Sequence, residues 1–292
     1  DQDAAAIDSL CYNAPYYLPF QAAGNDRNDP VPSAGMTFRY LLNGIWFAKS
    51  YNPATDPLAD NWDQGGYDTI IPVAGAKNII TVGSLRDAVS GGLRNLAAGT
   101  MTDHSSWGPT DDGRIKPDIV ANGDGVYSAA GNSTTTYAVM SGTSMACGNA
   151  SGSALLILDF WRSLVDNFMP RASTLKALII HSADDLGRPG PDYAFGWGLM
   201  NVRAAADLVR RQHDLPHEVS IVEDKLENPA STRRYQFTWN KTGPIRATLC
   251  WTDPPGLATN GLDVTTPALV NDLDLRLVGP DGTTNLPFIL DS

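Results

Sequence analysis

Apolar and polar positions alternate along this chain with periods that change from region to region. Near the start, Ala4, Ala5, Ala6, Ile7 and Leu10 recur at helical spacing and predict the end of a helix. Leu18 to Ala23 is a short apolar run halted by Gly24-Asn25-Asp26, a turn signature, and reads as a buried strand. Asn78 to Gly83 is β-branched and continuously apolar, and Ile119 to Ala121 repeats the texture. Strands of that kind are covered on both faces, as in parallel α/β sheets. From Ser144 to Trp161 small and large apolar residues follow one another with almost no charge, which predicts a central, buried helix. Thr174 to Ser182 and Val202 to Gln212 predict two further helices, the second amphipathic.

Two stretches break this pattern. Asn28 to Gly66 is rich in Pro, Asn and Asp and carries Phe38, Tyr40, Trp46, Phe47, Tyr51 and Trp62, the texture of a long surface insertion anchored by aromatics. After His213 the chain turns to short β-forming runs separated by turn clusters: Val219 to Val222, Tyr235 to Trp239, Ile245 to Trp251 and Leu273 to Val278. The boundary falls near residues 212 to 217, giving one unit over 1–214 and the start of a β-sandwich over 215–292. A sandwich usually needs about seven strands, so this one reads as cut short.

Composition narrows the function classes. A chain of 292 residues with 42% hydrophobic and 18% charged side chains can bury a core of domain size, and its length suggests two domains. No apolar run is long enough to span a bilayer. A formal net charge of -11 argues against a nucleic-acid surface, which needs clustered Lys and Arg. Cys11, Cys147 and Cys250 are widely spaced, which speaks against a zinc site and leaves any disulfide pairing open. No signal peptide precedes Asp1, so an upstream segment is expected to have been removed and the protein to be secreted.

The strongest chemical signal is Ser141-Gly142-Thr143-Ser144-Met145-Ala146 at the mouth of the predicted central helix. Glycine lets a substrate approach the backbone, and a helix N-terminus offers N–H groups and positive potential to a developing oxyanion. Ser and Thr before a helix are also ordinary N-caps, and this motif by itself leaves both readings open.

Four blocks together resemble the subtilase family of serine peptidases: Ala22-Ala23-Gly24-Asn25-Asp26, Lys77 to Gly83, Ser105 to Ala121 with its Ser-Ser-x-Gly-Pro and Lys-Pro-Asp-Ile runs, and Gly142 to Ala146. The resemblance implies a subtilisin-like α/β fold, a mainly parallel sheet with helices on both faces and incomplete at its N-terminus, followed by a truncated jelly-roll-like sandwich. It implies Ser144 as the nucleophile attacking a peptide carbonyl, and Asn25 as the side-chain donor to the oxyanion. Ala22, Ala23 and Gly24 would line one wall of the pocket for the residue before the cut, and Gly142 and Thr143 would also meet the substrate. The sequence departs from the family pattern where Cys147-Gly148 replaces a small residue and Pro, and where Asn122 replaces a common Pro. Gly148 makes the second helical turn looser.

The family's triad runs Asp, His, Ser along the chain, so both partners of Ser144 belong upstream of Ala22, where no histidine stands. Of the four histidines, His104 precedes Ser105-Ser106 at a structural position of the family, and His181, His213 and His217 read as surface or capping residues. A serine without its base is a poor nucleophile. The chain is therefore expected to need an upstream segment carrying Asp and His, with peptide or protein as substrate; the rival readings are an inert fragment or a binding scaffold on the same fold. An α/β-hydrolase reading suffers because its nucleophile elbow ends in Gly, and Ala146 stands there.

Asn271, Asp272 and Asp274, beside a Pro280-Asp281-Gly282 hairpin signal, resemble part of the jelly-roll domain that follows some subtilase catalytic domains. They offer oxygen ligands to a structural calcium ion; equally, alternate Asp residues on a strand simply face water. No cofactor is needed for the chemistry.

Overall fold

The computed structural model describes residues 2–42, 45–56, 65–131, 133–165, 168–215, 221–227, 231–239, 242–258 and 264–290. In chain order the elements are α1 (Gln2–Asn13), β1 (Phe20–Ala22), β2 (Thr37–Leu42), β3 (Ile45–Ser50), β4 (Ile80–Leu85), β5 (Val89–Ser90), β6 (Leu93–Arg94), β7 (Ile119–Asn122), β8 (Val126–Ala129), β9 (Tyr137–Met140), α2 (Thr143–Leu164), α3 (Ala172–Ser182), α4 (Val202–Asp214), β10 (Leu277–Val278) and β11 (Thr284–Asn285).

The centre is a parallel sheet in the order β1-β4-β7, with Phe20 opposite Ile80 and Val82 opposite Ile119. Strand alternation sends Ile80, Val82, Ile119 and Ala121 to one face, where they pack with Ala146, Ala150, Ala154 and Ile157 of α2, Leu178 and Ile179 of α3 and Val209 of α4. Ile79 points to the opposite side, against Ile7 and Cys11 of α1. Farther along that side Leu85 and Val120 are covered by Leu199, Met101, Leu186 and Phe195. Every residue of β4 is buried, as its uncharged, β-branched texture predicts, with Thr81 and Ser84 the polar positions among them.

Inside this sheet lies a charged knot. Asp118 pairs with Lys116 at 2.7 Å and Lys176 at 2.9 Å, and accepts from the Thr81 N–H. Burial pulls the Lys116 ammonium down to about 7, against the opposing pull of Asp118.

Two expectations change. The helix α2 is not buried all round: Ala146, Ala150, Ala154, Ile157 and Trp161 form its inner stripe, while Leu155 and Leu156 are exposed at 66% and 64%. Apolar residues on both sides of a helix require a cover on both sides, and the second cover is absent from the described residues. The insertion after Asn28 is not irregular throughout either. β2 and β3 pair antiparallel from Thr37↔Ser50 to Leu42↔Ile45, and the sequence between them reads Asn43-Gly44, a short-range hairpin signal, at positions outside the described residues. Trp62 lies outside the described residues.

After Asp214 the described residues pair only in β10–β11, whose turn carries the predicted Pro280-Asp281-Gly282 run. Tyr235–Trp239 and Ile245–Trp251 have no ladder there; extended segments become strands only against a partner. Val219 and part of its run lie outside the described residues. What residues 253–271 do have is a tight bond network into the first unit. The Lys77 ammonium, with its side chain 5% exposed, reaches Asp253 at 2.5 Å and the carbonyls of Pro254 and Ala268 at 2.6 and 2.7 Å. Asn78 exchanges hydrogen bonds with the Asp253 backbone, and Asp8 of α1 accepts from the N–H groups of Lys77 and Asn78.

Candidate active site

The site forms where the end of β1, the start of α2 and the loop after β7 meet. β1 ends at Ala22, and Gly24 turns the chain with φ +118°, where a side chain would strike Ile71 Cγ2 and Ser106 Oγ at 2.7 Å. Gly24 is held by Thr143, whose hydroxyl accepts from the Gly24 N–H at 3.3 Å and faces the Gly24 carbonyl at 3.2 Å. Gly24→Ala combines a disfavoured φ with a double clash and is expected to cost about 1–3 kcal/mol or more, read as a lowered denaturation midpoint with an unchanged slope.

Asn25 comes next, and its amide orientation is fixed by chemistry. Its Oδ1 accepts from the Thr143 N–H at 2.9 Å and faces the Thr143 hydroxyl at 3.0 Å. A backbone N–H can only donate, so the oxygen must be the atom on that side and Nδ2 the atom left over. Asn25 thus caps α2 from outside the helix and presents its N–H₂ group beside Gly142. Gly142 itself has φ 150° and receives no side-chain cap; its N–H donates to the Gly123 carbonyl at 2.8 Å, where a side chain on residue 123 would meet the Gly142 carbonyl at 2.6 Å.

Ser144, the second residue of α2, is exposed. Among the first N–H groups of the helix, that of Thr143 goes to Asn25 and those of Met145 and Ala146 go to the Gly142 carbonyl. The Ser144 N–H and hydroxyl make no hydrogen bond within the described residues. A free hydroxyl, a free N–H at the positive end of a 22-residue helix and a fixed amide donor nearby form an arrangement able to bind an oxyanion next to a nucleophile.

The remaining predicted residues fall as follows. Ala22 is half-buried, whereas Ala23 is fully buried with Ile70 and Ala74 and belongs to the core, its N–H and carbonyl taken by Val82 and Ile71. Thr143 is also fully buried, a strut between Gly24 and Asn25 and out of a substrate's reach. His104 bonds the Thr102 hydroxyl at 3.2 Å, His181 the Thr248 hydroxyl at 3.0 Å, and His213 sits 2.8 Å from Asp214; His217 lies outside the described residues. None of the described histidines is bonded to Ser144. Asp272 is exposed and Asp274 lies 3.4 Å from Arg276. Asn271 donates its backbone and side-chain N–H groups to Asp253. Among the described residues no group of three metal-binding side chains is gathered. All three cysteines are free thiols, and burial pushes Cys147 up, away from a reactive thiolate.

Sequence patterns gave little notice of the supports. Ser106 accepts from the Asp26 N–H through Oγ and donates its own N–H to the Gly24 carbonyl, while Ser105 Oγ accepts from Ser84 N–H. The Ser141 hydroxyl donates to Asp124 and accepts from Gly125 N–H, each at 2.9 Å, tying the loop before Ser144 to the end of β7. The Ser105-Ser106 pair was visible as a motif; its service to the Asn25 turn was not.

A serine at the mouth of a helix, flanked by an amide donor on a parallel α/β sheet, is the arrangement that a serine-centred acyl-transfer site requires. The description of the subtilase family matches residues 3–198, and the chain belongs to that family. It is 29% identical over 202 residues to the serine protease/ABC transporter B family protein tagA of Dictyostelium discoideum, covering 60% of this chain and 11% of that protein. It is 34% identical over 110 residues to an extracellular serine protease of Serratia marcescens, covering 37% of this chain and 9% of that protein. The chain thus spans about a tenth of the length of these relatives. Among solved structures, the self-cleaved protease domain of PatA aligns with a TM-score of 0.44 and 21% identity, over 70% of this chain and 54% of that one.

Proposed function

We propose that this chain is the nucleophile-bearing half of a secreted serine endopeptidase. The observation that carries this is the joint placement of Ser144 and Asn25 by Thr143, with the Asn25 oxygen committed to capping and its N–H₂ group left for an oxyanion. In the reaction Ser144 Oγ attacks the scissile carbonyl and gives its proton to an imidazole. The carbonyl oxygen becomes an anion received by the Ser144 N–H and Asn25 Nδ2, the amine leaves with the proton, and water hydrolyses the acyl-enzyme.

The imidazole and its carboxylate come, in this reading, from a segment outside these residues that also completes the fold. Two surfaces support that assignment. Among the described residues β1 is an edge strand of the central sheet, with no strand on the side away from β4, and bare edges are normally paired or covered. Leu155 and Leu156 stand exposed on α2. One further strand and helix seated on both would bury them. Secretion is favoured by the extracellular relative, and the residues from 215 onward are read as the start of a β-sandwich.

The reading is tested by joining or mixing the chain with such an upstream segment and assaying a quenched-fluorescence peptide library. Expected is cleavage that Ser144→Ala abolishes; binding of peptides without cleavage would support the scaffold alternative.

A further inference from the structure

Two ammonium groups share one carboxylate in the charged knot of the central sheet, and their partners are not equivalent. Lys176, on α3, donates to Asp118 Oδ1 at 2.9 Å and to the carbonyls of Lys77 and Ile79 at 3.1 and 2.7 Å. An ammonium carries three donors, so Lys176 is fully matched as a cation. Lys116 donates to Asp118 Oδ2 at 2.7 Å and to the Thr81 hydroxyl at 2.8 Å. That hydroxyl gives its own proton to the Ala74 carbonyl at 2.6 Å, and the Thr81 N–H takes a further place on Asp118 Oδ2 at 2.7 Å. No third acceptor meets the Lys116 nitrogen among the described residues, and its side chain, 2% exposed, is out of reach of bulk water. Besides Asp118 and Lys176, Lys116 feels Arg114 two residues before it, whose guanidinium is bound to Asp112 and the Gly75 carbonyl. β4 brings the uncharged Thr81, and the Cys250 thiol near Asp118 and Lys176 stays neutral, pushed up by burial to about 11. Two buried cations on one buried carboxylate leave a surplus positive charge, which a protein interior disfavours.

We infer that Lys116 is a proton switch built into the fold: in neutral to alkaline surroundings it sits in the folded chain as a neutral amine, and taking up a proton loosens the knot. A neutral amine has two N–H groups and a lone pair, and its two donors meet Asp118 Oδ2 and the Thr81 hydroxyl. Protonation adds a donor that has no acceptor, together with the surplus charge. Burial accordingly takes the Lys116 ammonium from 10.5 down to about 7, against the opposing pull of Asp118. Between those two values the unfolded chain holds the proton and the folded chain does not. The stability contributed by this group therefore rises with pH from about 7 to 10.5 and is level below that range, where both states are protonated. Asp118 also donates its N–H to the Thr81 carbonyl at 2.8 Å, so the knot ties β4 to the chain entering β7 and, through Lys176, to α3. The switch thus acts on the centre of the fold and does not depend on where the base of Ser144 comes from.

The test is an NMR pH titration of the chain carrying isotope-labelled lysine, reading the ε-methylene signals, whose shifts follow the state of each amine. Expected is an ε-methylene with a midpoint at about pH 7 that disappears in Lys116→Met. Urea unfolding gives a second reading. The unfolding constant of the parent chain relative to Lys116→Met should fall by up to about tenfold per pH unit between about pH 8 and about pH 9.5, and stay level below about pH 6. The methionine leaves Asp118 its bonds to Lys176 and the Thr81 N–H, and the ratio cancels the cysteines and tyrosines that titrate in both chains. Should Lys116→Met fail to fold, the parent titration alone decides. A parent chain in which no lysine titrates below about pH 9, a low-titrating signal that persists in Lys116→Met, or a ratio that does not change with pH overturns the inference.

Discussion

Exchange of Ser144 for alanine, in the chain completed by its upstream half, is expected to remove peptide hydrolysis down to the residual contribution of binding and the oxyanion donors. That residue is about 10³–10⁴ over water. The substitution should leave stability untouched, since Ser144 is exposed and hydrogen-bonds to nothing within the described residues. Asn25 is more informative because it does two jobs through different atoms. Asn25→Ala loses both the oxyanion donor and the cap on the Thr143 N–H. It should cut turnover by about 10²–10³, the known cost of removing such an asparagine from a subtilase, and lower stability by about 1 kcal/mol as a lost cap. Asn25→Asp keeps an oxygen for the Thr143 N–H but removes the donor and sets a negative charge beside the oxyanion. It should retain stability while losing at least as much turnover as Asn25→Ala. Measuring kcat and the urea midpoint for both variants separates the jobs; equal losses of stability and activity in both would mean that Asn25 only caps.

Breaking the Lys77–Asp253 pair is expected to give the largest stability loss of any single charge removal near residues 253–271. Both side chains are almost fully buried, at 5% and 2% exposure. Asp253 also accepts from the N–H groups of Val270 and Asn271 at 2.9 Å and from the Asn271 side chain at 3.0 Å. Asp253→Ala strands a buried ammonium together with those donors, and should cost about 3–5 kcal/mol. Lys77→Met, which replaces the ammonium by apolar volume but leaves Asp253 its backbone donors, should cost less. Burial alone would raise the Asp253 carboxyl, yet the Lys77 bond and the Val270 and Asn271 N–H groups hold it below the usual carboxylate range. On acidification the unfolded chain therefore takes the proton first. The stabilisation is complete above about pH 4 and fades as pH falls through the lower, folded value. Urea midpoints at pH 7 and pH 3 should converge between the parent and Asp253→Ala at the lower pH; a gap that stays constant would place the clasp's strength elsewhere.

How much of this was readable beforehand depended on whether a signal was local. β4 and β7 announced themselves because strands covered on both faces carry uncharged, β-branched runs, β1 because a short apolar run stops at a Gly-Asn-Asp turn, and α3 and α4 because helical periodicity survives in any context. The Ser144 and Asn25 blocks were readable as motifs. The role of Thr143 was not: a threonine before a helix looks like a cap, and only the fold brings Gly24 and Asn25 to it from 118 residues and more away. The Lys77–Asp253 clasp joins residues 176 apart and leaves no spacing to read. The opposite failure is the β2–β3 hairpin, where Asn43-Gly44 was a local signal hidden by the Pro- and Asp-rich sequence around it. α2 was read as buried because its composition reports the cover it is built for, and the described residues provide only one side of that cover.

The central claim is that Ser144 is a nucleophile whose oxyanion site is formed here and whose base is supplied from outside these residues. It is met most directly by the rate at which a fluorophosphonate probe labels Ser144, followed by peptide mass mapping, with and without an added upstream segment that contains Asp and His. The expected result is slow labelling of the 292-residue chain alone, rapid labelling at Ser144 when the segment is present, and none in Ser144→Ala. Rapid labelling of Ser144 in the chain alone would contradict it, and would make His104 the first residue to replace.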